Sequence, residues 1–88
     1  MERLRRILLK SGFEEITYRG SKWTNFEKAY YVKGNEVEGI TLEITKEYQR
    51  YTFKLIDMRE TLFGKIHRGE TTKYTKIVEF LKKYRFIV

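Results

Sequence analysis

Residues 19–25, with the sequence RGSKWTN, combine side-chain types that bind phosphate groups and nucleobases. Gly20 allows the backbone to approach an anion closely, and the free amides of a loop can donate hydrogen bonds to it. Arg19 and Lys22 add positive charge, and Trp23 has a ring that could stack on a base. No helix follows directly, as it would in a P-loop. A hairpin loop with Trp23 packed on the edge of the core is therefore the alternative.

A second group of cations lies in a predicted helix at residues 2–10. Arg3, Arg6 and Lys10 recur one and two turns apart and form a basic ridge. This ridge could contact phosphates, or it could be an ordinary solvated face on which Lys10 suits the helix C-terminus. A mainly apolar stripe at the same spacing predicts the buried side of the helix: Met1, Leu4, Ile7, Leu8 and Ser11.

A third group is predicted on one face of a β-sheet. Residues 39–57 alternate apolar and polar side chains in two runs, and residues 61–68 continue this alternation. The residues predicted to face the helices are Ile40, Leu42, Ile44, Tyr51, Phe53, Leu55, Leu62 and Ile66. The residues predicted on the opposite face are Lys54, Ile56, Phe63, Lys65 and His67, with Arg68 at the strand end. Such a mixture of cations and rings is typical of single-strand binders. The alternative is that Phe63 and Ile56 form a small cluster beneath a loop or contact a second subunit.

Catalytic residue types are scarce. The chain has one histidine, His67, one aspartate, Asp57, and no cysteine, and these two residues fall on different predicted strands. A Ser-His-Asp group, a zinc site and a calcium loop therefore find no support, and we expect no enzyme activity, no cofactor and no metal. A role of His67 as a lone acid or base beside Lys65 and Arg68 is the remaining alternative.

The 15 residues LLKSGFEEITYRGSK, from a short helix through Gly-Phe to a Gly-Ser turn, resemble the opening of HicA-type toxins. Those toxins are small ribonucleases of the double-stranded-RNA-binding fold, with a catalytic histidine after Gly-Ser. Lys22 occupies that position here, so the resemblance carries no catalytic residue to this chain.

The predicted helices and strands that carry these residues indicate an α+β fold. Further strands are predicted at residues 13–19, with Ile16 and Tyr18 on one face, and at residues 27–33. A second helix is predicted from a cap at Thr71 or Thr72 to about Tyr84. We expect an N-terminal helix, a four- to five-stranded antiparallel β-meander and a C-terminal helix, with both helices on one face of the sheet. The apolar end, residues 85–88, should pack back, add a short strand or join a dimer contact.

Length and composition limit the function classes. The 88 residues suit a single domain, and the absence of cysteine suits a reducing, cytoplasmic setting. The first nine residues are too short and too rich in arginine for a signal peptide or a membrane span. The net charge of +7 lies in the terminal thirds: residues 1–33 carry eight Lys/Arg against four acids, and residues 61–88 carry seven against two.

Two functions follow as hypotheses. The first is a small nucleic-acid-binding protein with little sequence preference, for DNA or RNA, in which cations contact phosphates and aromatic rings stack on bases. Its predicted contacts are Arg3, Arg6, Lys10, Arg19, Lys22, Trp23, Lys54, Phe63, Lys65, His67 and Arg68. The alternative is a protein-interaction regulator or inhibitor of a nucleic-acid-handling enzyme, for example one encoded by a phage or mobile element. A homodimer is compatible with either.

Overall fold

The structure is a computed structural model that describes residues 1–59 and 63–88. Two helices flank five strands: α1 (Glu2–Lys10), β1 (Glu14–Ser21), β2 (Phe26–Lys33), β3 (Ile40–Glu47), β4 (Arg50–Asp57), β5 (Lys65–Thr71) and α2 (Tyr74–Lys83). The strands form one antiparallel sheet in the order β1-β2-β3-β4-β5, a meander. The predicted α+β architecture is confirmed.

The helix α1 forms where the apolar stripe predicted it. Leu4 and Leu8 are buried one turn apart, and Met1 and Ile7 pack against the same core. Gly12 follows the helix with a φ of 92°, a left-handed conformation that glycine adopts at little cost and that lets the chain turn into β1.

Both helices cover the same face of the sheet. The core joins Leu4 and Leu8 of α1 and Ile77 and Leu81 of α2 to the inward side chains of the strands. Along β3 and β4, register pairs such as Leu42–Leu55 and Ile44–Phe53 point toward the helices. The side chains between them point to the other face, which no further element of the described chain covers; we call it the open face.

The two helices run in the same direction across the sheet. Their first turns meet at a shallow depression that is lined by Arg3 of α1 and Tyr74 of α2. At the other end, Lys33 bridges the segments that follow them: its Nζ lies 5.5 Å from the centre of the Phe13 ring and donates to the Phe86 carbonyl at 3.0 Å.

The ends of α2 differ in part from the sequence prediction. Lys73 is the N-cap without a side-chain cap bond, whereas Thr71 belongs to β5 and its Oγ1 accepts a hydrogen bond from the Lys73 amide at 3.2 Å. After the helix, Phe86 and Ile87 are buried in the core, so the apolar end packs back on its own fold. These two residues are therefore not available for the dimer contact considered from the sequence.

The predicted orientation of β5 is wrong. The strand begins at Lys65 rather than at residue 61, and its register places His67 opposite Leu55 and Ile66 opposite Ile56. His67 therefore faces the helices, while Ile66 lies on the open face and is 52% exposed. Phe63 and Gly64 belong to the preceding loop, where Gly64 has a φ of 77°. The predicted core position Leu62 lies outside the described residues.

Candidate nucleic-acid interface

The positive charge of the chain is separated by layer. Residues 1–12, which contain α1, carry four Lys/Arg against one Glu, and residues 72–88, which contain α2, carry five against one. The intervening residues 13–71 carry ten Lys/Arg against ten acids. The net charge of +7 therefore resides in the two helical segments, which cover one face of the sheet.

Cations of α1 line the side of the helix that faces α2. The Arg5 side chain points the other way, toward β1, where its Nε donates to Glu15 Oε1 at 2.8 Å. At 3.6 residues per turn, Arg3, Ile7 and Lys10 lie on the flank opposite Arg5. Arg3 shares the interhelical depression with Tyr74, which places this flank beside α2.

The same helix geometry identifies which residues of α2 lie on the side that faces α1. Phe80 points toward the β5 edge, where its ring centre lies 5.3 Å from that of His67. Val78 and Lys82 are two residues before and after Phe80 and therefore lie on the opposite flank. Ile7 and Val78 are both partly buried against the core. The junction of the helices thus has an apolar floor and exposed cations, and we call Arg3, Lys10 and Lys82 the helix seam.

The helix seam has no carboxylate partner among the described residues, and Lys10 and Lys82 lie in the last turns of their helices, where a cation suits the macrodipole. Within residues 1–59 and 63–88, no carboxylate lies within 4.0 Å of Arg3, Lys10 or Lys82. Arg3 lies in the first turn of α1, and Lys73 caps α2, whose first turn has no acidic residue. A cation at a helix N-terminus opposes the macrodipole at a cost of about 0.3–1 kcal/mol. Helix stability therefore does not account for these two cations.

The second turn of α1 carries Arg6, the remaining member of the predicted basic ridge. Its Nε donates to Glu2 Oε1 at 3.3 Å, and both side chains are largely exposed. Arg6 is therefore partly compensated, and Glu2 is the single acid of the α1 segment. We place Arg6 beside the helix seam rather than in it.

The open face carries both signs of charge. Arg19, Lys54 and Arg68, which the sequence predicted as contacts, lie on it, but acids alternate with its cations. Two ion pairs cross it: Lys28 Nζ to Glu43 Oε1 at 3.5 Å and Arg50 Nε to Glu70 Oε1 at 2.9 Å.

Three further predicted contacts occupy different places. His67 is in ring contact with Phe80, Tyr84 and Phe86, with the Tyr84 ring centre at 5.1 Å, so its predicted position on a free sheet face is wrong. Lys65 opposes Asp57 on the helix side of β5 rather than on the open face. Phe63 is 93% exposed in the β4–β5 loop. The predicted contacts therefore do not form one surface.

The β1–β2 loop presents its aromatic residue to solvent. Trp23 is 96% exposed, so the alternative in which it packs on the core edge is wrong. Lys22 precedes it and is also exposed. The neighbouring β3–β4 turn holds Tyr48, which is 71% exposed and whose amide donates to the Asn25 carbonyl at 2.9 Å. Two exposed rings therefore lie at the same end of the sheet.

An ion-pair network fixes α1 on the sheet. Arg5 binds both carboxylate oxygens of Glu15, and the buried Tyr31 hydroxyl donates to Glu15 Oε1 at 2.9 Å. The hydrogen bonds from Arg5, aided by that from Tyr31, hold the pKa of Glu15 below its usual range. Burial, followed by the Glu15 carboxylate, raises the pKa of Tyr31. This network sets the rotation of α1 and hence the direction of Arg3 and Lys10.

Two residues of this region were missed by sequence reasoning. Lys82 was overlooked because its place in the seam depends on how α2 packs beside α1, which is a long-range contact. Tyr48 carried a usable signal, because an aromatic residue stands in the polar turn between the two alternating runs of residues 39–57. In the structure it lies in a two-residue hairpin turn and has a φ of 55°. Asn, Asp and Gly are the favoured residues at such positions, so a tyrosine there needs an explanation beyond turn formation.

No protein-family model matches the chain, and no curated protein or solved structure matches it either. None of the helices in the described ranges has the length and apolar character needed to cross a membrane. The described residues also contain no group of three or more His, Cys, Asp or Glu arranged to hold a metal ion.

Proposed function

We propose that this protein binds the sugar-phosphate backbone of nucleic acid, with little sequence preference, through the helix seam. The observation that carries the proposal is the location of the whole positive excess on the helix layer, with Arg3, Lys10 and Lys82 unpaired by described carboxylates. Lys and Arg that neutralise phosphates release condensed counterions, and this release drives association. Phosphate contacts carry no sequence information, which accounts for the expected lack of preference.

The proposal assigns different roles to the two faces. On the helix layer a phosphate oxygen would meet cations that have no competing acid close by. On the open face it would meet the carboxylates of Glu43 and Glu70, which already bind Lys28 and Arg50. Like charges that meet at an interface weaken association. The helix layer is therefore the favoured side for a polyanion.

Two triple variants test this assignment. The first, Arg3→Gln/Lys10→Gln/Lys82→Gln, neutralises the helix seam. The second, Arg19→Gln/Lys54→Gln/Arg68→Gln, removes the same charge from the open face. Fluorescence anisotropy with a labelled oligonucleotide at low salt should show affinity weakened by roughly tenfold or more for the first and by much less for the second.

The result that would overturn the assignment is a larger loss of affinity in the open-face triple variant than in the helix-seam one. Absence of binding by the unmodified protein to both single- and double-stranded DNA and RNA at low salt would end the nucleic-acid proposal altogether. All six substituted residues are exposed or partly exposed, so circular dichroism should show both variants folded.

A second candidate, a protein-interaction module, is supported by an apolar row across the open face. Register pairs align Val32, Thr41, Ile56 and Ile66 across four strands; Val32 and Thr41 are buried, Ile56 is partly buried, and Ile66 is 52% exposed. Such a row could contact a protein partner or a second copy. This candidate predicts a stoichiometric complex, or a dimer by light scattering, that survives nuclease treatment and is lost in Ile66→Lys. A monomer with no such complex would contradict it.

A further inference from the structure

We infer that the paired tips of the β1–β2 and β3–β4 hairpins form a clamp for an unpaired nucleobase, so that the protein prefers single-stranded nucleic acid. This inference rests on the proposed function, which concerns only the backbone. The hydrogen bond from the Tyr48 amide to the Asn25 carbonyl, at 2.9 Å, joins the two tips directly. The exposed ring of Tyr48 therefore lies beside the loop that carries the exposed ring of Trp23.

A hollow of about 360 Å³ lies between these hairpins. Its lining includes Ser21, Lys22, Asn25 and Tyr48, which together offer a hydroxyl, an ammonium group, an amide and an aromatic ring. The volume is at the lower end of the range for small-molecule sites. Stacking on an aromatic ring beside a cation is the recurring mode of single-strand binding, and a base inside a duplex cannot use it.

The clamp is continuous with the helix layer. Glu27 also lines the hollow and binds the ammonium group of Met1 at 3.1 Å, which places the start of α1 at its border. Glu27 is held in place because the Tyr18 hydroxyl donates to its Oε1 at 2.6 Å, and Lys46 Nζ lies 4.0 Å from its Oε2. A strand whose base enters the hollow would therefore leave it beside the N-terminal end of α1, at the border of the helix layer.

The backbone of Tyr48 supports a role beyond turn formation. Its φ of 55° is uncommon for a residue other than glycine, and a bulky side chain there raises the energy of the turn. Asn25, in the adjacent loop, has a φ of 50°, but asparagine tolerates that conformation. The stacking function would explain why an aromatic residue occupies the β3–β4 turn.

Trp23 is the only tryptophan of the chain and lies exposed in the β1–β2 loop, so its fluorescence reports on that side of the clamp. Titration with unlabelled oligothymidylate should quench this fluorescence, whereas a duplex of equal length should leave it nearly unchanged. In parallel, anisotropy of labelled oligothymidylate should show affinity weakened about tenfold in Trp23→Ala and in Tyr48→Asn. Phe63→Ala, which removes an equally exposed ring at the opposite end of the sheet, should bind like the unmodified protein.

The Tyr48→Asn variant separates binding from folding, because asparagine suits a positive φ. Its melting temperature should stay equal or rise while its affinity for the single strand falls. Oligonucleotide binding with unchanged tryptophan fluorescence and unaltered affinity of both variants would overturn the clamp and leave the proposed function intact. Equal quenching by duplex would overturn the preference for an unpaired base. Absence of any binding would remove both.

Discussion

At the scale of single residues, Glu15 both positions α1 on the sheet and stabilises the fold. Its carboxylate binds Arg5 and Tyr31, and both ionised side chains are less than one-quarter exposed, at 19% for Glu15 and 24% for Arg5. Replacement by glutamine should remove the closer of the two carboxylates that pair with Arg5 among the described residues, leaving only Glu2, whose Oε2 lies 3.5 Å from Arg5 Nη1. We expect Glu15→Gln to lower the free energy of unfolding by about 2 kcal/mol at neutral pH in chemical denaturation.

This stability difference should depend on pH. Because Arg5 holds the pKa of Glu15 below the value of 4.5 for an unperturbed side chain, ionised Glu15 stabilises the fold above that pH. The stabilisation is lost as the pH falls through the lower folded pKa. The difference in the free energy of unfolding between Glu15→Gln and the unmodified protein should therefore become smaller at acidic pH. The control is the neighbouring Glu14→Gln, at an exposed position, which should change the free energy of unfolding little. A stability difference between Glu15→Gln and the unmodified protein that stays constant in acid would contradict this account.

Single residues also mark where sequence reasoning stops. The alternation in residues 13–19 predicted that Ile16 and Tyr18 share a face, but a bulge between Glu15 and Thr17 interrupts the register and leaves Ile16 46% exposed. A bulge depends on how two strands pair, so no pattern within one strand reveals it. Whether Trp23 is buried or exposed could not be predicted from the sequence either, because a tryptophan fits both a core edge and a stacking site.

At the scale of elements, β5 depends on the missing side chain of Gly69. This residue pairs with Phe53, and a Cβ atom there would overlap the Phe53 ring, which packs 5.0 Å from the Phe80 ring of α2. The glycine thus lets an aromatic ring close over the strand and connect it to the helix. We expect Gly69→Ala to lower the free energy of unfolding by about 1–3 kcal/mol in chemical denaturation.

The control for that experiment is Arg68→Ala at the adjacent exposed position. Since its side chain points to the open face and makes no ion pair with a described residue, a change within about 0.5 kcal/mol is expected. Equal stability of Gly69→Ala and Arg68→Ala would show that the Phe53 ring can move aside without cost.

The elements themselves were largely predictable, whereas the orientation of β5 was not. Apolar spacing and Gly12 determine α1, and the alternation from Ile40 to Leu55 determines the central hairpin, because both patterns are local. In β5, Ile66 and His67 could face either way. The His67 ring packs against Phe80, Tyr84 and Phe86, which are distant in sequence. The pattern within β5 therefore did not show which of its two faces points toward the helices, and the prediction was shifted by one residue.

At the scale of the whole molecule, the sequence showed that both terminal thirds are basic but not how they meet. The two basic segments lie side by side because α1 and α2 pack parallel to each other over one sheet. Lys33 contacts the segments that follow both helices and so supports this packing. The segments that contain the helices, rather than the combination of α1 ridge, loop and sheet face predicted from the sequence, then carry the net positive charge. The proposed interface is thus a product of topology and not of any local motif.

The salt dependence of binding tests this central claim most directly. A plot of the logarithm of the association constant against the logarithm of salt concentration has a slope set by the number of phosphates neutralised. The helix-seam triple variant should reduce the magnitude of that slope by roughly 2–3, and the open-face triple variant should leave it unchanged. An unaltered slope in the helix-seam variant, or a reduction confined to the open-face variant, would contradict the account.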